Sequence, residues 1–283
     1  MTKINICGVP EHFNLPWQLC FDDGDFEKEH LDVKWTNIPE GTGKMCQMLR
    51  DGETDVTVIL TEGIVKDIAF GSPSKIVQMY VQSPLVWGIH VDANSHFQNI
   101  TDLEHQKIAI SRLGSGSHLM AIVHANKLNW NVDELKFEIV NTIDGAVKAL
   151  SAQNADYFMW EKLMTKPLVD DGIFRKIGEC PTPWPSFVIA VSNSFLEKNG
   201  AAIKTMLAII NKKTSSFKSI VGIENSLSSV FNLNTNDVNI WLKDTEWSQK
   251  QLSAEMLNKV QNQLFTLKLI DKKVTFAHAI ATL

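Results

Sequence analysis

The chain has 283 residues, enough for two compact lobes of ordinary domain size or one large α/β domain. Its 44% hydrophobic and 21% charged residues are the balance of a soluble globular protein, and no run approaches the roughly 18 apolar residues of a membrane helix. A net charge of −5 argues against a nucleic-acid or anionic-membrane partner, so any anion would have to be met by local dipoles.

Residues 4–8 read as a buried strand, followed by a loop that carries His12, Phe13 and Asn14. Pro16 sits where a helix takes its first-turn proline, and Trp17, Cys20 and Phe21 lead into a short helix. Asp22, Asp23, Gly24 and Asp25 make a turn, and residues 32–38 alternate as a strand does. Gly41, Thr42 and Gly43 precede a helix with Met45, Met48 and Leu49 on one face, ended by Asp51 and Gly52. Residues 56–60 are a second buried strand, running into Thr61, Glu62, Gly63 and a short helix over 64–70. This β-α-β-α-β-α order with short connections predicts a parallel sheet with helices on its faces. Ligands of such sheets lie beyond the carboxyl ends of the strands, here residues 10–14, 38–43 and 61–63.

Residues 76–82 and 85–91 read as strands joined through Ser83 and Pro84, and Thr101 as a helix cap. A strand over 107–111 then turns through Leu113, Gly114, Ser115, Gly116, Ser117 and His118. Apolar residues at Leu119, Ile122, Val123 and Leu128 predict the helix behind it. Strand, Gly/Ser turn and helix aim free backbone N–H groups and a helix dipole at one spot, which suits a carboxylate, sulfonate or phosphate. The same turn also fits a plain connection with Ser117 as N-cap. Its spacing is neither the nucleotide-phosphate loop nor the dinucleotide fingerprint. Residues 136–140 are a strand and Thr142 opens a helix. Residues 155–160 are a strand with Trp160 and Glu161 at its carboxyl end, and a helix runs through Leu163 and Leu168. Residues 92–186 thus form a second α/β unit. Residues 187–191 are again a strand, and from Ser194 the chain is helical almost throughout, with 227–233 and 241–247 as the last helices.

Cys7, Cys20, Cys46 and Cys180 are scattered without C-x-x-C spacing, which predicts four reduced, buried thiols and neither a zinc site nor a redox motif. No H-E-x-x-H spacing and no G-x-S-x-G elbow occurs, so no catalytic residue, metal or cofactor is expected. The opening strand pattern lacks the features of a signal peptide. The expectation is a cytoplasmic protein as given, or a periplasmic or extracellular one if a signal has been removed.

The stretches Phe26-Glu27-Lys28-Glu29-His30-Leu31-Asp32-Val33, Gly41-Thr42-Gly43-Lys44-Met45 and Asp51-Gly52-Glu53-Thr54-Asp55-Val56 occur in one order with three more. Those are Leu60-Thr61-Glu62-Gly63, the turn from Ser111 to His118, and Asp156-Tyr157-Phe158-Met159-Trp160-Glu161. Together they resemble the type II periplasmic-binding-protein-like family. The branch is the one that binds taurine, alkanesulfonates, nitrate and the thiamine pyrimidine precursor, and it includes the fungal thiamine pyrimidine synthases. The resemblance implies an α/β fold of two lobes with mixed sheets, helices on both faces and a two-strand hinge. Lobe I would be residues 1–91 and 187–283, and lobe II residues 92–186. It further implies a monomer that traps a small anionic or heteroaromatic metabolite in an interlobe cleft by hinge closure, with a transporter partner only if exported.

The expected ligand-binding residues are His12, Phe13, Asn14, Gly41, Thr42, Thr61, Glu62, Gly63, Ser83, Gly114, Ser115, Gly116, Ser117, His118, Trp160 and Trp184. Trp160 and Trp184 would stack on a flat ligand or fill the core, whereas Trp87 reads as hinge or core. Glu62 would accept from a ligand amine or cap its own helix; His12 and His118 would bond the ligand or be structural. The runner-up function is a thiamine-pyrimidine-synthase-like enzyme acting on a pyridoxal-type substrate. It would need a Schiff-base lysine, for which Lys44 and Lys66 are nearest by motif. The clustered cysteine motif of the fungal enzymes is absent, and their chemistry is not carried over.

Overall fold

A computed structural model describes residues 1–283. The chain begins with strand β1 (Thr2–Gly8), whose last three residues are all buried. Helix α1 (Leu15–Asp22) follows with Pro16 in its first turn, then α2 (Asp25–Lys28) and β2 (Leu31–Asn37). Helix α3 (Thr42–Asp51) buries Met45, Met48 and Leu49, as its spacing predicts. Next come β3 (Val56–Leu60), α4 (Thr61–Ala69), β4 (Ser74–Val81) and β5 (Val86–Asp92). The middle of the chain alternates as β6 (Lys107–Ile110), α5 (Gly116–Lys127), β7 (Lys136–Ile139), α6 (Ile143–Ser151), β8 (Tyr157–Glu161), α7 (Lys166–Asp170) and β9 (Phe174–Pro181). After β10 (Phe187–Ser192) come helices α8 (Asn193–Ser216, broken at Asn199), α9 (Ile223–Phe231), α10 (Thr235–Asp244), α11 (Ala254–Thr266) and α12 (Phe276–Ala279).

Two compact units result: residues 1–83 with 184–283, and residues 84–183. The first holds a sheet of order β2-β1-β3-β10-β4, the second a sheet of order β7-β6-β8-β5-β9. In each, the first three strands of the order are parallel and the fourth is antiparallel to both of its neighbours. That fourth strand is β10 in the first sheet and β5 in the second, the first strand formed after the chain enters the unit or returns to it. Strand β5, read from sequence as the close of lobe I, makes all its pairings with β8 and β9 in the second sheet.

Other local expectations change. Asn99, not Thr101, caps the single turn Ile100–Leu103, because the Asp102 carboxylate accepts from the Asn99 N–H at 2.8 Å and completes a capping box. Strand β9 has no counterpart in the sequence reading. It is an edge strand whose only partner is β5, so Arg175, Lys176 and Glu179 can face solvent and blur the apolar pattern. The helix read at 241–247 ends at Asp244, and two further helices follow it. Residues 246–250 instead run along the outer edge of β4: Gln82 donates to the Glu246 carbonyl, Ser248 to that of Tyr80 and Met79 to that of Lys250. This covers backbone groups that an open edge would expose. All four cysteines are buried free thiols. No helix is long and apolar enough to cross a membrane.

Candidate functional site

In the first sheet the chain leaves β1 to one side for β2 and crosses back to the other side for β3. Such a reversal opens a crevice between the carboxyl ends of the central strands. The loop after β1 and the start of α4 flank it. Asn14 donates its Nδ2 to the Val9 carbonyl at 2.9 Å, which fixes the amide orientation and leaves its buried Oδ1 without a hydrogen-bond partner. The Phe13 carbonyl accepts from the Tyr80 hydroxyl at 2.9 Å and the Trp247 indole at 3.3 Å. His12 is fully buried, its ring 4.5 Å from Phe13 and 4.4 Å from Trp241. Burial pulls its pKa down to about 3, so it stands neutral among aromatics.

On the other flank, Thr61 opens α4, its N–H donating to the Ser186 carbonyl at 3.1 Å and its buried hydroxyl having no partner. Glu62 is 1% exposed and accepts the Trp184 indole N–H on Oε2 at 2.7 Å. Burial pushes its pKa up to about 7, outweighing its own backbone N–H and the indole; Oε1 has no partner. Gly63 carries no side chain because one would collide: a Cβ there would lie 2.1 Å from Thr42 Cγ2. The structure thus brings Thr42, with its cap Gly41, against residues 61–63. Ser83 supports this region from behind, its carbonyl accepting from Ser186 and its hydroxyl from the Glu246 N–H at 3.1 Å. Trp184 is 2% exposed, so what it presents is an indole N–H to Glu62 rather than a ring face for stacking.

The second sheet repeats the reversal, with β7 and β8 on the two sides of β6. After β6, the Ser111 N–H donates to Ser117 Oγ at 2.9 Å, and Ser117 Oγ also lies 3.3 Å from Ser111 Oγ and 3.1 Å from Ser115 Oγ. The N-cap of α5 is Ser115, which accepts from the His118 N–H at 3.3 Å, and not Ser117. Ser117 sits within the first turn, where its hydroxyl bonds the end of the strand instead. Gly114 takes φ 79, a left-handed conformation that suits glycine, and its N–H donates to His118 Nδ1 at 3.0 Å. The N–H groups of Gly114, Ser115 and His118 are therefore used within the loop. Those of Gly116 and Ser117 remain as first-turn donors, for which a helix supplies no carbonyl.

At the end of β8, Trp160 is half-buried and stacks on Phe158 at 5.3 Å, against the cluster of Ala109, Val140, Ala146, Leu150 and Phe174. Glu161 is buried and accepts from the N–H groups of Met164, at 2.7 Å, and Leu163; burial pushes its pKa up to about 7. Trp87 is core, as one of its two readings has it. Lys44 is held by Glu53 at 3.6 Å, and Lys66 lies in the last turn of α4, four residues after Glu62. The sequence reading passed over Phe187, Trp241 and Trp247, which pack around or bond Phe13. Their distance along the chain leaves no local signal to find them by.

Residues 87–180 match the family model described as Ca3427-like PBP. No curated protein sequence matches the chain. Among solved structures, the Candida albicans CA3427 gene product has a TM-score of 0.89 at 24% identity, covering 97% of this chain and 92% of that one. It is described as having the generic periplasmic binding protein fold. The alkanesulfonate-binding protein SsuA from Xanthomonas axonopodis pv. citri, bound to MOPS, has a TM-score of 0.84 at 17% identity, covering 100% and 99%. The periplasmic aliphatic sulphonate binding protein SsuA from Escherichia coli has 0.77 at 18%, covering 100% and 94%. The chain has the type II periplasmic-binding-protein-like fold, with mixed sheets and helices on both of their sides.

Proposed function

We propose that this protein is a solute-binding protein for a small anionic or heteroaromatic metabolite, and a binder rather than an enzyme. The observation that carries the reading is the loop between β6 and α5. Its three serine hydroxyls satisfy one another, and its first-turn N–H groups at Gly116 and Ser117 stay available at the positive end of a 12-residue helix. That arrangement supports an acidic oxygen without any cationic side chain. The sulfonate-binding proteins that share the fold support the same ligand class. Capture by hinge closure belongs to the proposal, as do a cytoplasmic setting or, after export, delivery to a transporter.

The test is thermal unfolding and calorimetry against alkanesulfonates, nitrate, aminopyrimidines and pyridoxal phosphate. A true ligand at about 100 times its dissociation constant adds roughly 2.7 kcal/mol of stability. A fall in radius of gyration on ligand addition would report closure. No stabilisation by any member of the panel would overturn the proposal, and turnover of a pyridoxal compound would favour the enzyme reading.

A further inference from the structure

We infer that the carboxyl edge of the first sheet binds a ligand nitrogen that carries hydrogens, an ammonium or an amino group on a heterocycle, through Glu62 and Thr61 with Asn14 beside them. This rests on the solute-binding reading and specifies the ligand it takes. Three buried side-chain oxygens at this edge have no hydrogen-bond partner: Asn14 Oδ1, Thr61 Oγ1 and Glu62 Oε1. Asn14 is 4%, Thr61 0% and Glu62 1% exposed. Buried polar atoms in folded proteins are almost always bonded, and leaving one unmade is costly. Asn14 follows β1, and Thr61 and Glu62 open the helix directly after β3; between these strands the sheet reverses direction.

Together they favour a donor-rich partner, the Thr61 hydroxyl being able to accept as well as donate. Asn14 Oδ1 can only accept, because Nδ2 of the same amide already donates to Val9. Glu62 uses Oε2 for the Trp184 indole, so Oε1 is the carboxyl oxygen left over. No charged side chain figures among the influences on Glu62, so no lysine or arginine neutralises it from within the protein. An acidic group would meet acceptors and a carboxyl here; a group rich in N–H would meet the partners it needs. Gly63 serves the same edge by letting Thr42 close up against α4.

Matched probes test this on the full chain: 2-aminoethanesulfonate against ethanesulfonate, and 4-aminopyrimidine against pyrimidine, by calorimetry at pH 7.5. In whichever pair binds, the amine-bearing member should bind at least tenfold more tightly. Glu62→Gln should cut that preference at least fivefold while leaving the amine-free member unchanged, since the amide would turn donors toward the ligand. Thr61→Val, which keeps the shape, should weaken only the amine-bearing member and serves if Glu62→Gln does not fold. Equal affinity within a binding pair overturns the inference, assigns the three oxygens to water and leaves the solute-binding reading standing. A preference that neither variant alters also overturns it. Binding of neither pair overturns the ligand class and this inference together.

Discussion

Glu62 and Glu161 stand at equivalent places in two sheets of the same strand pattern, each at the carboxyl end of the middle strand. Burial pushes both pKa values up to about 7. They differ in where their hydrogen bonds come from. Glu161 accepts N–H groups two and three residues further on. Glu62 has its own backbone N–H and, beside it, an indole 122 residues away, and keeps one oxygen unbonded. At Glu62 a tertiary donor adds to the local one. Its unbonded oxygen leaves capacity for a ligand.

Acid should separate the units most. His12 in the first unit is held down to about 3, and His90 and His124 in the second to about 4, each by burial. A depressed histidine contributes stability above its unfolded pKa of about 6.5 that is lost as pH falls through the folded value. By pH 4.5 each costs on the order of 2 kcal/mol, so the second unit, with two, should lose about twice as much as the first. The two glutamates, one per unit, cancel in this comparison. Hydrogen exchange resolved by segment would measure it, and earlier opening of the first unit would break the comparison.

Trp184→Phe should cost about 2 kcal/mol at pH 8, because it leaves the buried Glu62 carboxylate with its own backbone N–H alone as donor. Urea unfolding of Trp184→Phe and of Trp184→Phe/Glu62→Gln gives the coupling, and additivity of the two changes would show that the bond contributes nothing.

The pH slope is next in size. A carboxyl raised to about 7 holds more protons when folded, so its contribution is most favourable below its unfolded value and is lost as pH rises through the folded one. Glu62→Gln should therefore gain on the parent by about 2 kcal/mol between pH 5 and pH 8. Glu161→Gln should show the same slope, since the cause is the same burial; a flat difference for either would mean that its carboxyl titrates as if exposed. The smallest effect is Ser115→Ala, which removes the cap of α5 and should lower stability by about 1 kcal/mol, read from the shift in urea midpoint.

Much of this molecule was readable along the chain because its signals are local. Apolar spacing placed α3 and α5, Thr142 marked the start of α6, and runs of β-branched residues marked β1, β3 and β10. The rule that parallel sheets present ligands at strand ends then placed residues 12–14, 41–42, 61–63 and 114–118 at such ends. Edge strand β9 escaped because solvent on one side relaxes its pattern. At the site, sequence determined which residue types reach the strand ends, since turns and caps depend on neighbours within a few positions. Tertiary structure alone decided that Trp184 donates to Glu62 instead of facing outward, and that the Thr61 N–H meets the Ser186 carbonyl. Burial, and the partner a buried polar atom finds, depend on segments brought together across the whole chain, so no local pattern encodes them.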